Sequence, residues 1–378
     1  MRIGFLFNHE AAHQIAHGLP IARAIARRRP DIDLPIFVAR GVAEAEAHRL
    51  GGGLSIVPLR PESPAAAWGT RLSGGSIPLD RISRLARNRD AFAALDVLVV
   101  PEKTSLMLKS RFGLKDLRMV HTRHGAGDRA VGFDKASGHF DLVLLSGPKI
   151  RDRLDAAGLL KPDGYAMVGY PKFDLADDTP PASLFDNGRP TVLYNPHPAP
   201  GLSSWYQMGP AILDYFARSK DFNLIFAPHV MLFAKRFNIA LSPLSLGRVG
   251  RVERRHRDLP HMLIDEGSRA SIDMTYTRAA DIYLGDASSQ VYEFLSHPRP
   301  CVFVDPRRTA WQGNPDFAHW EAGPVVHDIA SLDTALHDAM ARPRAFRDAQ
   351  RRIFAYSFDL DGRPSAERAA DAILERFG

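Results

Sequence analysis

The chain has a single cysteine, Cys301, in 378 residues, so an internal disulfide is excluded. Cys301 follows Pro300 at the head of the apolar run CVFVD, where a buried thiol is expected. No apolar run approaches the ~18 residues that a membrane-spanning helix needs. The opening MRIGFLFNHE has too short an apolar stretch for a secretory leader, and the cytoplasm is the expected location. Low-complexity tracts and repeats at solenoid spacing are lacking. Charge of one sign is not in large excess, since 49 Lys and Arg stand against 43 Asp and Glu. The cations lack interleaved aromatics, and no nucleic-acid motif occurs, which removes nucleic acid from the expected partners.

What is present is a regular alternation. The chain exceeds the ~250–300 residues at which single cores stop growing, so two domains are expected. Short apolar runs read as strands at 2–7, 34–39, 54–59, 96–101, 118–122, 141–146 and 165–170. Helical patterns lie between them at 20–29, 43–50, 80–95 and 149–157. After a Pro-, Asp- and Gly-rich stretch the alternation resumes, with strands at 191–196, 223–228, 281–286 and 301–306. Helical patterns at 209–218, 290–296 and 365–377 accompany this half. Near-continuous apolar strands separated by helices imply parallel sheets covered on both faces. The expected fold is therefore α/β, with two Rossmann-like doubly wound domains facing a cleft. Residues 1–175 form the first, 176–190 a linker, 191–360 the second, and 361–378 a C-terminal helix.

Ligands of such sheets bind beyond the carboxyl ends of the strands. In GDASSQVYEF (285–294) a strand ends at Asp286, and Ser288 and Ser289 precede a helix opened by Gln290. The two hydroxyls and the helix N–H groups suit a diphosphate, although either serine also serves as an ordinary N-cap. Glu293, one turn in, is placed to accept from a ribose hydroxyl. In HTRHGAGDRAVGF (121–133), His124 and Gly125 follow a strand. An imidazole there can take a proton from an acceptor hydroxyl, and the glycines allow close backbone approach. His121, within the strand, reads as packing. Two more strands end in histidine segments, Asn195-Pro-His197 and Ala227-Pro-His229. Histidines grouped at an anion site can neutralise phosphate charge.

The segments HTRHGAGDRAVGFD, GYPKFD, FAPHV and GDASSQVYEFLSHPRPCVFVD, in that order, resemble the CDP-glycerol glycerophosphotransferase family of teichoic-acid-type polymerases and primases. The resemblance spans the middle and last thirds of the chain and implies the GT-B architecture. It further implies His124 as base on the acceptor hydroxyl, His229 as support for the donor phosphates, and Ser288 and Ser289 as the diphosphate site. The donor would be CDP-glycerol or a nucleotide-sugar, with no further cofactor and no metal. The acceptor would be a glycan or lipid-linked molecule, which brings in the inner face of the cytoplasmic membrane. Arg123, Ala227 and Ala287 depart from the family pattern, which has Trp, Lys and Tyr there.

Other readings compete. The same cleft suits a nucleotide-sugar glycosyltransferase, a UDP-sugar 2-epimerase-like enzyme, or a non-catalytic nucleotide-binding module. HEAAH (9–13) matches the zinc-protease motif, without a clear third ligand. If zinc is not bound, His9, His13 and His17 face the acceptor half of the cleft. Arginines cluster at 27–29, 81–89 and 251–257. The segment 79–95 sets Leu79, Ile82 and Leu85 against Arg81, Arg84 and Arg87, the pattern of a helix lying on anionic lipid or of one packed on the sheet.

Overall fold

The computed structural model describes residues 1–10, 12–73, 77–123, 125, 127–128, 135–176, 183–241 and 244–378. The chain divides into two compact units. The first comprises Met1–His124, Val131–Ala176 and Tyr356–Gly378; the second comprises Gly125–Ala130 and Asp177–Ala355.

The first unit holds seven strands: β1 (Ile3–Phe7), β2 (Ile36–Val38), β3 (Ile56–Pro58), β4 (Val97–Val100), β5 (Arg118–His121), β6 (Leu142–Leu145) and β7 (Tyr165–Met167). All pair in parallel, in the order β3-β2-β1-β4-β5-β6-β7. Side chains alternate across a strand, so each apolar run supplies two faces. Phe5, Phe7, Val38, Val97, Val99 and Leu144 enter one core, while Leu6, Phe37, Leu98, Val100, Val143 and Leu145 enter another.

The second unit holds β8 (Thr191–Asn195), β9 (Asn223–Phe226), β10 (Phe237–Leu241), β11 (Leu244–Arg248), β12 (Met262–Ile264), β13 (Ile282–Gly285), β14 (Cys301–Val304) and β15 (Val325–Val326). Six of them form a parallel sheet in the order β12-β9-β8-β13-β14-β15, and β10 with β11 form a separate antiparallel hairpin. Val192, Tyr194, Phe226, Leu284 and Val304 share one core with the helix Trp205–Arg218.

The expected parallel α/β architecture is therefore present in both units, and Cys301 is buried. The hairpin, β12 and β15 lie outside the sequence-expected strands; β12 and β15 are only three and two residues long. The helix expected over 80–95 is instead two, Leu79–Arg87 and Arg89–Ala93. Asn88 makes the break, donating from Nδ2 to the Arg84 carbonyl at 2.8 Å and to the Arg60 carbonyl at 3.1 Å. Arg84 does not face outward either. It is buried and bonded to Asn8, Glu10, Glu62 and Asp80, so the arginines of this helix do not form one exposed lipid-facing row. Of the stretch read as a linker, 176–190, residues 177–182 lie outside the described ones.

The C-terminal helix Ser365–Phe377 belongs to the first unit. Its buried Ala366, Ala369, Ala370 and Ile373 join the core that also takes Leu19, Ala22 and Ile25 of the helix Ile15–Arg28. The GYPKFD turn supplies its cap: the Asp174 carboxylate accepts from the Ser365 N–H at 3.0 Å and the Ala366 N–H at 2.6 Å. Two N–H groups that the helix itself leaves unpaired are satisfied in this way. Among the described residues, no helix is long and apolar enough to cross a membrane.

Candidate functional site

The second sheet reverses direction at β8. The chain places β9 on one side of it and then β13 on the other, so the loops leaving β8 and β13 diverge and leave a crevice at their carboxyl ends. The loops that follow β8, β9 and β13 carry Asn195 to His197, Pro228 to His229, and Asp286 to Ser289.

Three buried side chains tie these loops together. Asn195 donates from Nδ2 to the Ala227 carbonyl at 2.6 Å, joining the ends of β8 and β9. Its Oδ1 accepts from Ser288 Oγ at 2.5 Å and from the Tyr283 hydroxyl at 3.2 Å, joining β8 to β13. Asp286 accepts from the His197 N–H at 2.8 Å, and from the Ser204 N–H and hydroxyl at 2.7 and 2.8 Å. Burial pushes its carboxyl up to about 6, against the lowering effect of those donors. Burial likewise raises the nearby Tyr194 and Tyr283 phenols well above their usual range. Asn195, Asp286 and Ser288 thus form the floor that shapes the loops.

Next to that floor lie the half-buried His197 and His229. The rings of His197 and His229 are 6.1 Å apart. Each Nδ1 accepts a backbone N–H two residues on, from Ala199 at 3.0 Å and from Met231 at 3.2 Å. A neutral imidazole that accepts at Nδ1 carries its proton on Nε2. Both rings therefore have Nε2–H as their donor, which suits an anion. Ser289 is half-buried and begins the helix Gln290–Phe294, in which Glu293 is buried. With five residues, that helix supplies N–H donors but only a weak dipole.

Gly125 and Gly127 of the second unit lie against Ser289. A Cβ on Gly127 would stand 3.3 Å from the Ser289 Cβ, and one on Gly125 would stand 3.8 Å from its Oγ. Gly125 also has φ of +78°, a conformation that disfavours any residue with a Cβ. Asp128 pins this segment from within. It is buried, accepts from His319 Nδ1 at 2.7 Å and from the His319 N–H at 3.2 Å, and binds the Tyr292 hydroxyl. His319 Nε2 and Trp320 Nε1 in turn reach the Asp286 carbonyl at 2.8 and 3.0 Å.

In the first unit, His9 and His13 follow β1 with ring centroids 5.6 Å apart, while His17 is buried against Tyr170 at 5.0 Å. His121 is buried and stacked on Phe140 at 4.5 Å, as packing requires. His124 lies outside the described residues. The zinc-protease reading is not supported by the local structure. That motif needs both histidines on one helix face. Here His9 and Glu10 precede the 3-10 turn Ala12–Gln14, the helix begins only at Ile15, and Glu10 pairs with Arg84 at 3.1 Å. Among the described residues, no cluster of His, Cys, Asp and Glu is arranged to hold a metal ion.

No protein-family model matches the chain, and no curated protein matches by sequence. Solved structures do match over its whole length. A variant of the wall teichoic acid polymerase TagF soaked with CDPG superposes with a TM-score of 0.65 at 11% identity, covering 100% of this chain and 88% of that one. A UDP-N-acetylglucosamine 2-epimerase gives 0.61 at 12% identity, covering 99% and 94%. The S. aureus MnaA–UDP co-structure gives 0.57 at 11% identity, again covering 99% and 94%. The chain has the GT-B fold.

Within this GT-B chain, the His197 and His229 segments after β8 and β9 lie side by side, while the network beneath them has no signal in the spacing of the sequence. Asp128 and Tyr292 lie inside segments whose histidine, glycine and serine residues had drawn attention, but their partner did not. His319 sits in the irregular 3-10 stretch Pro315–Ala322, where no periodicity marks an inward-facing residue. Arg299 was also unmarked. It donates to the carbonyls of Thr277, Arg278, Phe294 and His297, fastening the ends of two short helices beneath the site. Burial lowers its guanidinium to about 10.

Proposed function

We propose that this chain is a transferase that binds a nucleotide-activated donor at the ends of β8, β9 and β13. In this reading it moves a glycerophosphate-type group onto an acceptor hydroxyl. The observation that carries the reading is the grouping of His197, His229 and Ser289 at the point where the sheet reverses direction, with two imidazole Nε2–H donors 6.1 Å apart as ring centroids. The donor diphosphate would lie against these groups and the Gly125–Gly127 backbone, with Glu293 toward the ribose.

The acceptor hydroxyl attacks the donor's β-phosphorus and passes its proton to His124 as general base. The new P–O bond forms as the bridging P–O bond breaks, and a nucleoside monophosphate departs toward His229. The TagF neighbours soaked with CDPG favour CDP-glycerol as donor, and the acceptor in this reading is a glycan or lipid-linked molecule. The epimerase neighbours support a second reading, in which a UDP-sugar occupies the same crevice.

A thermal-shift screen of CDP-glycerol against UDP- and GDP-sugars separates the two. A ligand at ~100 times its Kd should stabilise the fold by about 2.7 kcal/mol. In His124→Ala, turnover should fall by ~100-fold or more while that shift survives. His197→Ala with His229→Ala should lose the shift itself. Near-wild-type turnover in His124→Ala would remove the base, and an unaltered shift in the double variant would remove the donor site.

A further inference from the structure

We propose that the β10–β11 hairpin is a docking surface for an anionic lipid bilayer. It lies outside the sheet of the second unit and is antiparallel, with Ile239 opposite Leu246 and Phe237 opposite Arg248. Alternation divides it into two faces. Asn238, Ser245 and Gly247 face the unit. Asn238 Nδ2 donates to the Tyr206 hydroxyl and the Leu232 carbonyl, each at 2.9 Å, and Ser245 Oγ accepts from the Gly201 N–H at 3.0 Å. At Gly247 a Cβ would come within 2.5 Å of the Tyr206 ring, so only glycine lets the strand seat there.

The opposite face is apolar and open to solvent. Phe237, Ile239, Leu244 and Leu246 are 52%, 60%, 80% and 68% exposed. A held hairpin with four large apolar side chains in water is a binding surface or an aggregation hazard. The surrounding charge selects the partner. Residues 230–252 contain Lys235, Arg236, Arg248 and Arg251 and no Asp or Glu. Arg236, Arg248 and Arg251 are exposed and border a concavity of about 400 Å³ at the foot of the hairpin.

Many arginines of the other clusters are engaged elsewhere. Arg27 and Arg28 pair with Glu367, Arg29 with Asp31, Arg84 with three carboxylates, Arg255 with Asp214 and Arg257 with Glu266. Among the described residues, Arg236, Arg248 and Arg251 have no ion pair. An apolar face that enters the acyl boundary, ringed by guanidinium groups at the phosphate level, is the chemistry of interfacial binding to anionic lipid. This surface stands without the transferase reading.

The test is co-flotation of the full chain with vesicles of phosphatidylglycerol in phosphatidylcholine, against pure phosphatidylcholine. Binding is expected on the anionic vesicles only, and to weaken as salt rises from ~0.1 M to ~1 M, where screening shortens from about 10 Å to about 3 Å. The double variant Ile239→Ser, Leu246→Ser should reduce partition by roughly ten-fold or more with the charges intact. Arg236→Glu, Arg248→Glu and Arg251→Glu together should reduce it on the order of a hundred-fold, at about five-fold per lost cation. All these positions are exposed, so the thermal transition should not move. Three results would overturn the proposal: no binding of wild type to anionic vesicles, undiminished binding of both variants, or a self-associated chain that Leu246→Ser converts to monomer.

Discussion

Asp286 shows how a single side chain joins stability to the site. Its carboxyl is buried and rises from 3.8 to about 6, so the folded chain holds a proton there that the unfolded chain has already released. Stability from this group is complete below its unfolded value and is lost as pH climbs through about 6. A rise of this size corresponds to about 3 kcal/mol. Asp286→Asn removes the titration. Urea unfolding of both proteins from about pH 4 to about pH 6.5 should therefore show wild type losing about 2 kcal/mol of this relative to the variant. A gap that stays constant with pH would mean the carboxyl is not held protonated. Residues of this kind were only half legible. Asp286 and Asn195 could be recognised as strand-end polar residues, which placed them at the crevice. That their side chains face the floor and hold backbone groups depends on neighbours more than 80 residues away.

At the scale of elements, apolar runs decided most of the structure. Eleven expected strands overlap β1 to β9, β13 and β14, and the helix expected at 365–377 is Ser365–Phe377. The exceptions have physical causes. Asn88 turns its amide onto the preceding helix and ends it. The hairpin was readable as alternation in FNIAL and LSLGR, but its apolar residues face outward, against the usual direction. The C-terminal helix was legible as amphipathic, while its docking partner was not. Ile373 is fully buried in the core shared with the helix Ile15–Arg28. Ile373→Ala should destabilise the first unit by about 2–5 kcal/mol, read from denaturant unfolding. A change under ~0.5 kcal/mol would show that the helix is not part of that core.

For the molecule as a whole, the chain does not change unit only once. Residues 125–130 belong to the second unit although the strands on either side of them, β5 and β6, lie in the first; Tyr356–Gly378 return to the first. Asp128 is the anchor of the early crossing. Asp128→Ala would leave the His319 donors and the Tyr292 hydroxyl without their acceptor, at roughly 1–3 kcal/mol for each. Hydrogen exchange at 125–128 and near Ser289 should accelerate, while β1 to β4 keep their protection. Unchanged exchange at 125–128 would show that the segment is held by something other than Asp128.

Composition and periodicity by themselves determined that the chain is α/β, that its parallel strands are largely buried, and that polar residues cluster just beyond several of them. Those properties are local, since the hydrophobic effect acts on every apolar run independently of its distant neighbours. Only the tertiary structure decided which strand ends meet, which arginines are consumed by carboxylates, and which apolar residues stay in water. Each of these depends on strand order and on contacts across tens to hundreds of residues, and neither can be read from spacing along the chain.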